Sequence, residues 1–219
     1  MIDAKERREK SNKLLKSMGI DYLEELPVIE DSNQVKLKSI DDICKRAIAC
    51  LLSTQIACDI ENDNYAESVD FFKDLFKKYN VDNCLLDKEK KLLNGNYTMQ
   101  DAVDVEWTYE CFWALIWALG IIPDIKDASS ICDCNYCISL IQSSDTYEDF
   151  KSKCKLRDIE EILDMLDLYY RYNWATVEKQ INENANIGSL NPEVVPERRR
   201  ALEWLISDTY DWFDISLDT

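Results

Sequence analysis

The sequence predicts an all-α protein, and three observations carry that expectation. Apolar residues recur at spacings of three and four along most of the chain. Glycine and proline are scarce, four of each, which leaves little material for the turns of a β fold. No useful length of chain alternates apolar and polar residues at the two-residue period of a half-buried strand. The expected architecture is a single globular multi-helix domain over residues 1–219 with a central apolar helix. A chain of 219 residues, 46% hydrophobic, is of ordinary single-domain size and long enough to bury a substantial core.

Charge divides the chain. Residues 1–20 hold six Lys/Arg (Lys5, Arg7, Arg8, Lys10, Lys13, Lys16) against Asp3, Glu6 and Glu9, a net +3 within a total of −17. A basic N-terminal helix packing on or beside an acidic body is therefore expected. "SIDDICKRAIACLLSTQIACD" opens with Ser39 as a helix N-cap and Asp42 three positions on, then repeats Ile43, Ala47, Leu51, Thr54 and Cys58 at helical spacing. "NYAESVDFFKDLFKKYN" aligns Val69, Phe72, Leu75 or Phe76, and Tyr79 on one stripe.

"TMQDAVDVEWTYECFWALIWALGIIPD" differs, being apolar all round from Cys111 onward, the signature of a helix covered on most sides. Trp107, Trp113 and Trp117 are expected to anchor its packing. Gly120 supplies a left-handed stop and Pro123 forbids continuation. "RDIEEILDMLDLYYRYNWATVEKQINENAN" reads as a long helix with Ile159, Ile162, Leu163, Leu166, Tyr170, Trp174, Val177 and Ile181 inward. Its other side carries Glu160, Glu161, Asp164 and Asp167. Carboxylates so spaced can share a divalent cation, but such a run is ordinarily a solvated face offset by neighbouring Lys or Arg. "PERRRALEWLISDTYDWFDISLDT" reads as a short helix, with Ala201, Leu202, Leu205 and Ile206 inward, and an aromatic, acidic tail.

Composition excludes several chemistries. There is no histidine, so Ser-His-Asp and Cys-His nucleophilic sites and imidazole-built zinc sites are absent. No phosphate-cradling glycine loop is present. The acidic body repels phosphate backbones, so no nucleic-acid partner is expected. The longest apolar run, "CFWALIWALGII", is too short to span a bilayer, and "MIDAKERREK" lacks a signal-peptide core; no membrane partner and a cytoplasmic location are expected.

Nine cysteines are then expected to be reduced. "SICDCNYC" brings Cys132, Cys134 and Cys137 together. A zinc site there needs a fourth ligand from elsewhere, such as Cys111 or Cys154, and the redox reading needs a parallel sheet that this chain does not show. Buried free thiols are the favoured reading; no metal and no cofactor are expected.

Several segments in their order resemble a bacterial family catalogued as domain of unknown function 4272. They are "ERREKSNKLLKSMGIDYLEELPVIED" with "VKLKSIDDICKRAIACLLS", "EWTYECFWALIWALGII", "ICD", "KLRDIEEILDMLDLYYRYNWA" and "LNPEVVPERRRALEWLISDTYDWFDISLDT". The resemblance covers nearly the whole chain and implies a helical single domain but no reaction. Its pattern commonly has Cys132 followed by Asp133, without Cys134 or Cys137. It also often has histidine where this chain has Asn173 and Arg199.

Within the matching segments lies a polar and aromatic candidate set: Trp107, Tyr109 and Glu110; Arg171, Tyr172 and Trp174; Glu197, Arg198, Trp204, Trp212 and Asp218. Arginine beside carboxylates and indoles forms stacked, bidentate clusters, either fixing helix packing or holding an anion or a partner's loop. The leading functional expectation is a non-enzymatic interaction protein whose acidic surface takes a basic protein partner. The competing one is an enzyme or small-ligand binder with a pocket between the central and C-terminal helices.

Overall fold

The computed structural model describes residues 3–219 and, among them, contains helices and no strands. Ten α-helices follow in order: α1 Ala4–Ser17, α2 Ile40–Glu61, α3 Tyr65–Lys78, α4 Asp87–Leu93, α5 Met99–Glu106, α6 Thr108–Ala118, α7 Cys134–Gln142, α8 Tyr147–Ser152, α9 Ile159–Ile181 and α10 Val194–Ile206. Short 3-10 turns occupy Asp82–Cys84 and Trp212–Asp214. No described helix is long and apolar enough to cross a membrane. Contacts gather the chain into two compact units. One comprises the chain up to Lys38, Pro123–Ile131 and Arg157–Thr219; the other comprises Ser39–Ile122 and Cys132–Leu156.

In the Ser39–Ile122 unit the hub is α2, against which α3, α4, α5, α6, α7 and α8 all pack. Its periodicity suggested an amphipathic helix, yet it is buried on nearly every side from Ile43 to Ala57. Ala47, Ala49, Cys50, Ser53, Thr54 and Ala57 are small, which lets neighbours approach closely all round. Ser39 caps it as expected, its hydroxyl accepting from the Asp42 N–H at 3.1 Å. Cys58, at the end of the expected stripe, is only half-buried.

α6 is buried at every position except Trp113 and apolar from Cys111 onward. The helical segment is broken at Trp107, between α5 and α6. There the Thr108 hydroxyl bonds back to the Val105 carbonyl at 2.6 Å, a contact that bends helices. Trp107 and Trp113 are consequently half-buried; Trp117 is the tryptophan of the three that is fully packed. α6 stops as the sequence predicts. Gly120 takes φ +72°, its N–H reaches the Trp117 carbonyl and the Ile121 N–H reaches Ile116, both at 2.9 Å.

In the other unit, α9 packs against α1 and α10. Its buried face comprises Ile162, Leu163, Met165, Leu166, Asp167, Leu168, Tyr169, Arg171, Tyr172, Asn173, Ala175 and Thr176. The expected inward stripe is therefore correct from Ile162 to Leu166, with Ile159 half-buried, and then drifts. Tyr170, Trp174 and Val177 are half-buried and Ile181 is 79% exposed. Tyr169 and Tyr172 face inward instead, where each hydroxyl finds a carbonyl.

On the acidic side of α9, Glu161 stays exposed while Glu160 and Asp164 are offset by neighbouring cations. Fully buried Arg7 of α1 donates from Nη2 to Glu160 at 2.7 Å and from Nε to Asp164 at 3.1 Å, and Lys10 joins Asp164. Asp167 is fully buried and clasps Arg171 bidentately, at 2.7 and 3.0 Å. The basic first helix thus serves its own neighbour's carboxylates.

An added Cβ at Gly120 would lie 2.5 Å from the Lys155 carbonyl oxygen, whereas at Gly95, also left-handed, it meets only the Tyr65 hydroxyl at 3.5 Å. Gly120→Ala should therefore lose more stability than Gly95→Ala, which carries only the left-handed cost of about 1 kcal/mol. Urea unfolding of the two variants measures the difference, and equal losses would contradict the close approach at Lys155.

Candidate functional site

Three consecutive arginines on α10, Arg198, Arg199 and Arg200, point in directions about 100° apart, as the helical repeat dictates. Each fastens a different segment of the same unit. Arg198, 2% exposed, donates from Nη1 to the carbonyls of Asp127 (2.6 Å) and Ile125 (3.5 Å) and to the Tyr169 hydroxyl oxygen (3.3 Å), and from Nη2 to Ser130 (3.2 Å). Tyr169 itself donates to Ile125 at 2.5 Å, and the Asn191 N–H reaches Ala128 at 2.8 Å. The non-helical strap Pro123–Ile131 is thereby bound through its backbone oxygens.

Arg199 fastens the C-terminal tail. It donates to the carbonyls of Leu217 (2.8 Å) and Asp218 (3.2 Å), lies 4.7 Å from the Tyr170 ring centroid, and meets Glu203 Oε1 at 3.3 Å through two nitrogens. Asn173 donates to the same Leu217 carbonyl at 3.3 Å. Asn173 and Arg199, the two positions where the family resemblance led us to expect histidine, therefore converge on one tail oxygen. Burial holds Arg199 below its ordinary value and lifts Glu203 above its own, so desolvation outweighs their mutual attraction in both. Arg200 pairs with Glu197 at 3.1 and 3.2 Å, donates to the Trp212 carbonyl and stacks on Phe213.

Tail and helix together enclose a cleft of about 300 Å³, lined by Glu30, Val35, Glu203, Ile206, Ser207, Thr209, Asp214, Ile215 and Ser216. Lys38 extends over the Trp204 ring and donates to the carbonyls of Ser207 (2.8 Å) and Thr209 (3.1 Å) at its edge. Glu30 and Asp214 are exposed carboxylates. Three acids, three hydroxyl residues and three branched apolar side chains line one hollow. That lining suits a long aliphatic stem ending in a cation.

The candidate residues read from the sequence divide among these structures. Trp204 and fully buried Trp212 meet edge-to-face at 6.0 Å, and Trp204 Nε1 donates to the Tyr210 carbonyl. Asp218 receives Ser216 on its carboxylate at 2.6 Å and Arg199 on its carbonyl. Arg171 serves Asp167 and the Pro27 carbonyl, apart from the strap contacts of Arg198; Tyr172 reaches Lys126, and Trp174 is half-buried on α9.

Within the Ser39–Ile122 unit, Glu110 is 1% exposed and receives the Cys132 N–H at 2.7 Å. Tyr109 meets Gln55, with its hydroxyl raised by burial, and Trp107 sits at the α5–α6 break. Sequence reasoning noted Asn173 and Arg199 only as departures from the family pattern, and missed Glu203 and the cleft. The i,i+4 spacings of Asp167 to Arg171 and Arg199 to Glu203 were the available signal.

The clustered cysteines bracket a helix cap. Asp133 caps α7, accepting from the Tyr136 N–H at 2.9 Å. Cys132 donates to the Tyr109 carbonyl at 3.7 Å, Cys137 is fully buried, and burial pushes the Cys134 thiol up to about 12. Among the described residues, no three cysteine or carboxylate side chains are grouped to hold a metal ion.

A family model described as Domain of unknown function (DUF4272) matches residues 7–215, and the chain belongs to that family. No curated protein and no solved structure matches it.

Replacing Arg198 by Met would remove the buried guanidinium that holds the strap carbonyls of Asp127 and Ser130. Arg198→Met should cost about 3 kcal/mol or more, and the half-exposed Arg200→Met distinctly less. Denaturant titration checks this; an Arg198→Met protein as stable as the parent would remove the strap's anchor from the account.

Proposed function

We propose that this member of the DUF4272 family is a non-enzymatic binding protein whose acidic surface takes a basic protein partner, with the α10–tail cleft receiving a Lys or Arg side chain. The cleft's mixed lining carries the reading. Glu30, Glu203 and Asp214 supply negative charge, while Val35, Ile206 and Ile215 supply walls for an aliphatic stem. Arg199 and Lys38 already engage Glu203 and the neighbouring carbonyls, leaving Glu30 and Asp214 as the exposed acids.

Charge bookkeeping supports it as well. Arg7, Arg46, Arg171, Arg198 and Arg199 are buried, against Glu89, Asp101, Glu110 and Asp167. Burial thus removes at least as much positive as negative charge, and the accessible surface is no less acidic than the sequence total of −17. Such a field speeds encounter with a basic partner and excludes acidic ones.

A synthetic decalysine peptide serves as the probe. Its affinity should fall by about tenfold or more between low and high salt as the charges are screened. Charge reversal at the cleft, Glu30→Lys with Asp214→Lys, should weaken binding more than the reversal Asp59→Lys with Asp63→Lys elsewhere. Equal weakening would assign binding to diffuse charge, and salt-independent binding would remove the electrostatic reading.

A further inference from the structure

The second half of α9 carries an apolar row that the fold does not consume. Between Tyr170 and Ile181 the helix buries Arg171, Tyr172, Asn173, Ala175 and Thr176. Tyr170, Trp174, Val177 and Ile181 fall on the opposite side, within about 60° of arc and over about 16 Å of helix. The first three are half-buried and Ile181 is 79% exposed. The apolar period that suggested an inward face therefore continues past the core and turns outward. A surface helix ordinarily presents polar residues on that side, and a contiguous apolar row there marks a docking surface.

Acids border the row. Glu178 is half-buried on its α9 flank. On the other flank Asn173 donates to the Leu217 carbonyl at 3.3 Å, which brings the tail, with its exposed Asp218, to that side. Lys179 is turned to the helix's own end, donating to the carbonyls of Glu183 (2.6 Å) and Ala185 (3.1 Å). At the Tyr170 end the row meets the cleft. The Arg199 guanidinium lies 4.7 Å from the Tyr170 ring centroid and 3.3 Å from Glu203, which forms part of the cleft wall.

We propose that Tyr170, Trp174, Val177 and Ile181 dock a basic amphipathic helix of the partner protein, laid along α9 with one cationic side chain in the cleft. The inference rests on the binding reading given above and adds to it the partner's secondary structure and apolar face. Apolar side chains at helical spacing cover the row, and Lys or Arg at their edges meet Glu178 and Asp218. Tyr170 and Trp174 supply large, stiff contact surfaces of the kind that dominate binding energy. A second copy of this chain fits worse, because its α9 would bring the same acids against the same edges.

The test uses the folded full-length protein and two synthetic peptides of about 14 residues with identical Leu and Lys content, one with the leucines at helical spacing and one scrambled. Calorimetric titration should find the patterned peptide bound about tenfold or more tighter than the scrambled one. Val177→Gln with Ile181→Gln, checked for folding by circular dichroism, should bring the two peptides to within about twofold of each other. Ile181→Gln alone, at an exposed position, should weaken the patterned peptide about threefold and leave the scrambled one unchanged. Equal affinity of the two peptides for the parent protein would overturn the docking row while leaving the acidic-surface reading standing. A protein that bound neither peptide would overturn both. Dimerisation abolished by Ile181→Gln would assign the row to a second copy and overturn the proposal as well.

Discussion

Burying a guanidinium is costly unless nearly every donor finds an oxygen, and this protein buries five. Arg198 and Arg199 meet that requirement largely with backbone carbonyls, which only non-helical chain can present sideways to a helix. Each arginine needs a strap or tail to satisfy it, and each strap or tail needs the arginine to satisfy its carbonyls. Removing the strap or tail would leave the buried guanidinium groups short of acceptors.

The cleft follows from that dependence. Arg199 pins Leu217 and Asp218 on one side and Glu203 on the other, so Ile215 and Ser216 are held opposite Ile206 and Ser207. The same burial lifts Glu203 and lowers Arg199, leaving a desolvated carboxylate at the wall of an otherwise exposed hollow. Drawing the arginines inward also leaves the surface positive charge mainly to lysines, and the acidic character of the chain is displayed outward.

Much of the fold was legible because it rests on local rules. Ser39 caps α2 and Gly120 ends α6 as their side chains dictate, and both can be read without knowing any neighbour. What was not legible depends on neighbours. The inward face of α9 moves from Tyr170 to Tyr169 because carbonyls of the Pro123–Ile131 strap receive the tyrosine hydroxyls there. Asp167 reads as surface by composition but is buried by its pairing with Arg171. Trp107 breaks a helix through a hydroxyl on the next residue. Of the candidate set, Arg198, Trp204, Trp212 and Asp218 lie on α10 and the tail, whereas Glu203 and Asn173 acquire meaning only once the tail folds back onto α9 and α10.

The central claim is that Arg198 and Arg199 are engaged by the chain's own oxygens and are closed to small anions. Nitrogen-15 NMR of arginine side chains during a phosphate titration tests it most directly. Hindered rotation should give separate Nη signals for Arg7, Arg46, Arg171, Arg198 and Arg199, unmoved by phosphate, while half-exposed Arg8 and Arg157 average freely. Averaged signals at Arg198 and Arg199 that shift with phosphate would contradict the account and make the cluster an anion site.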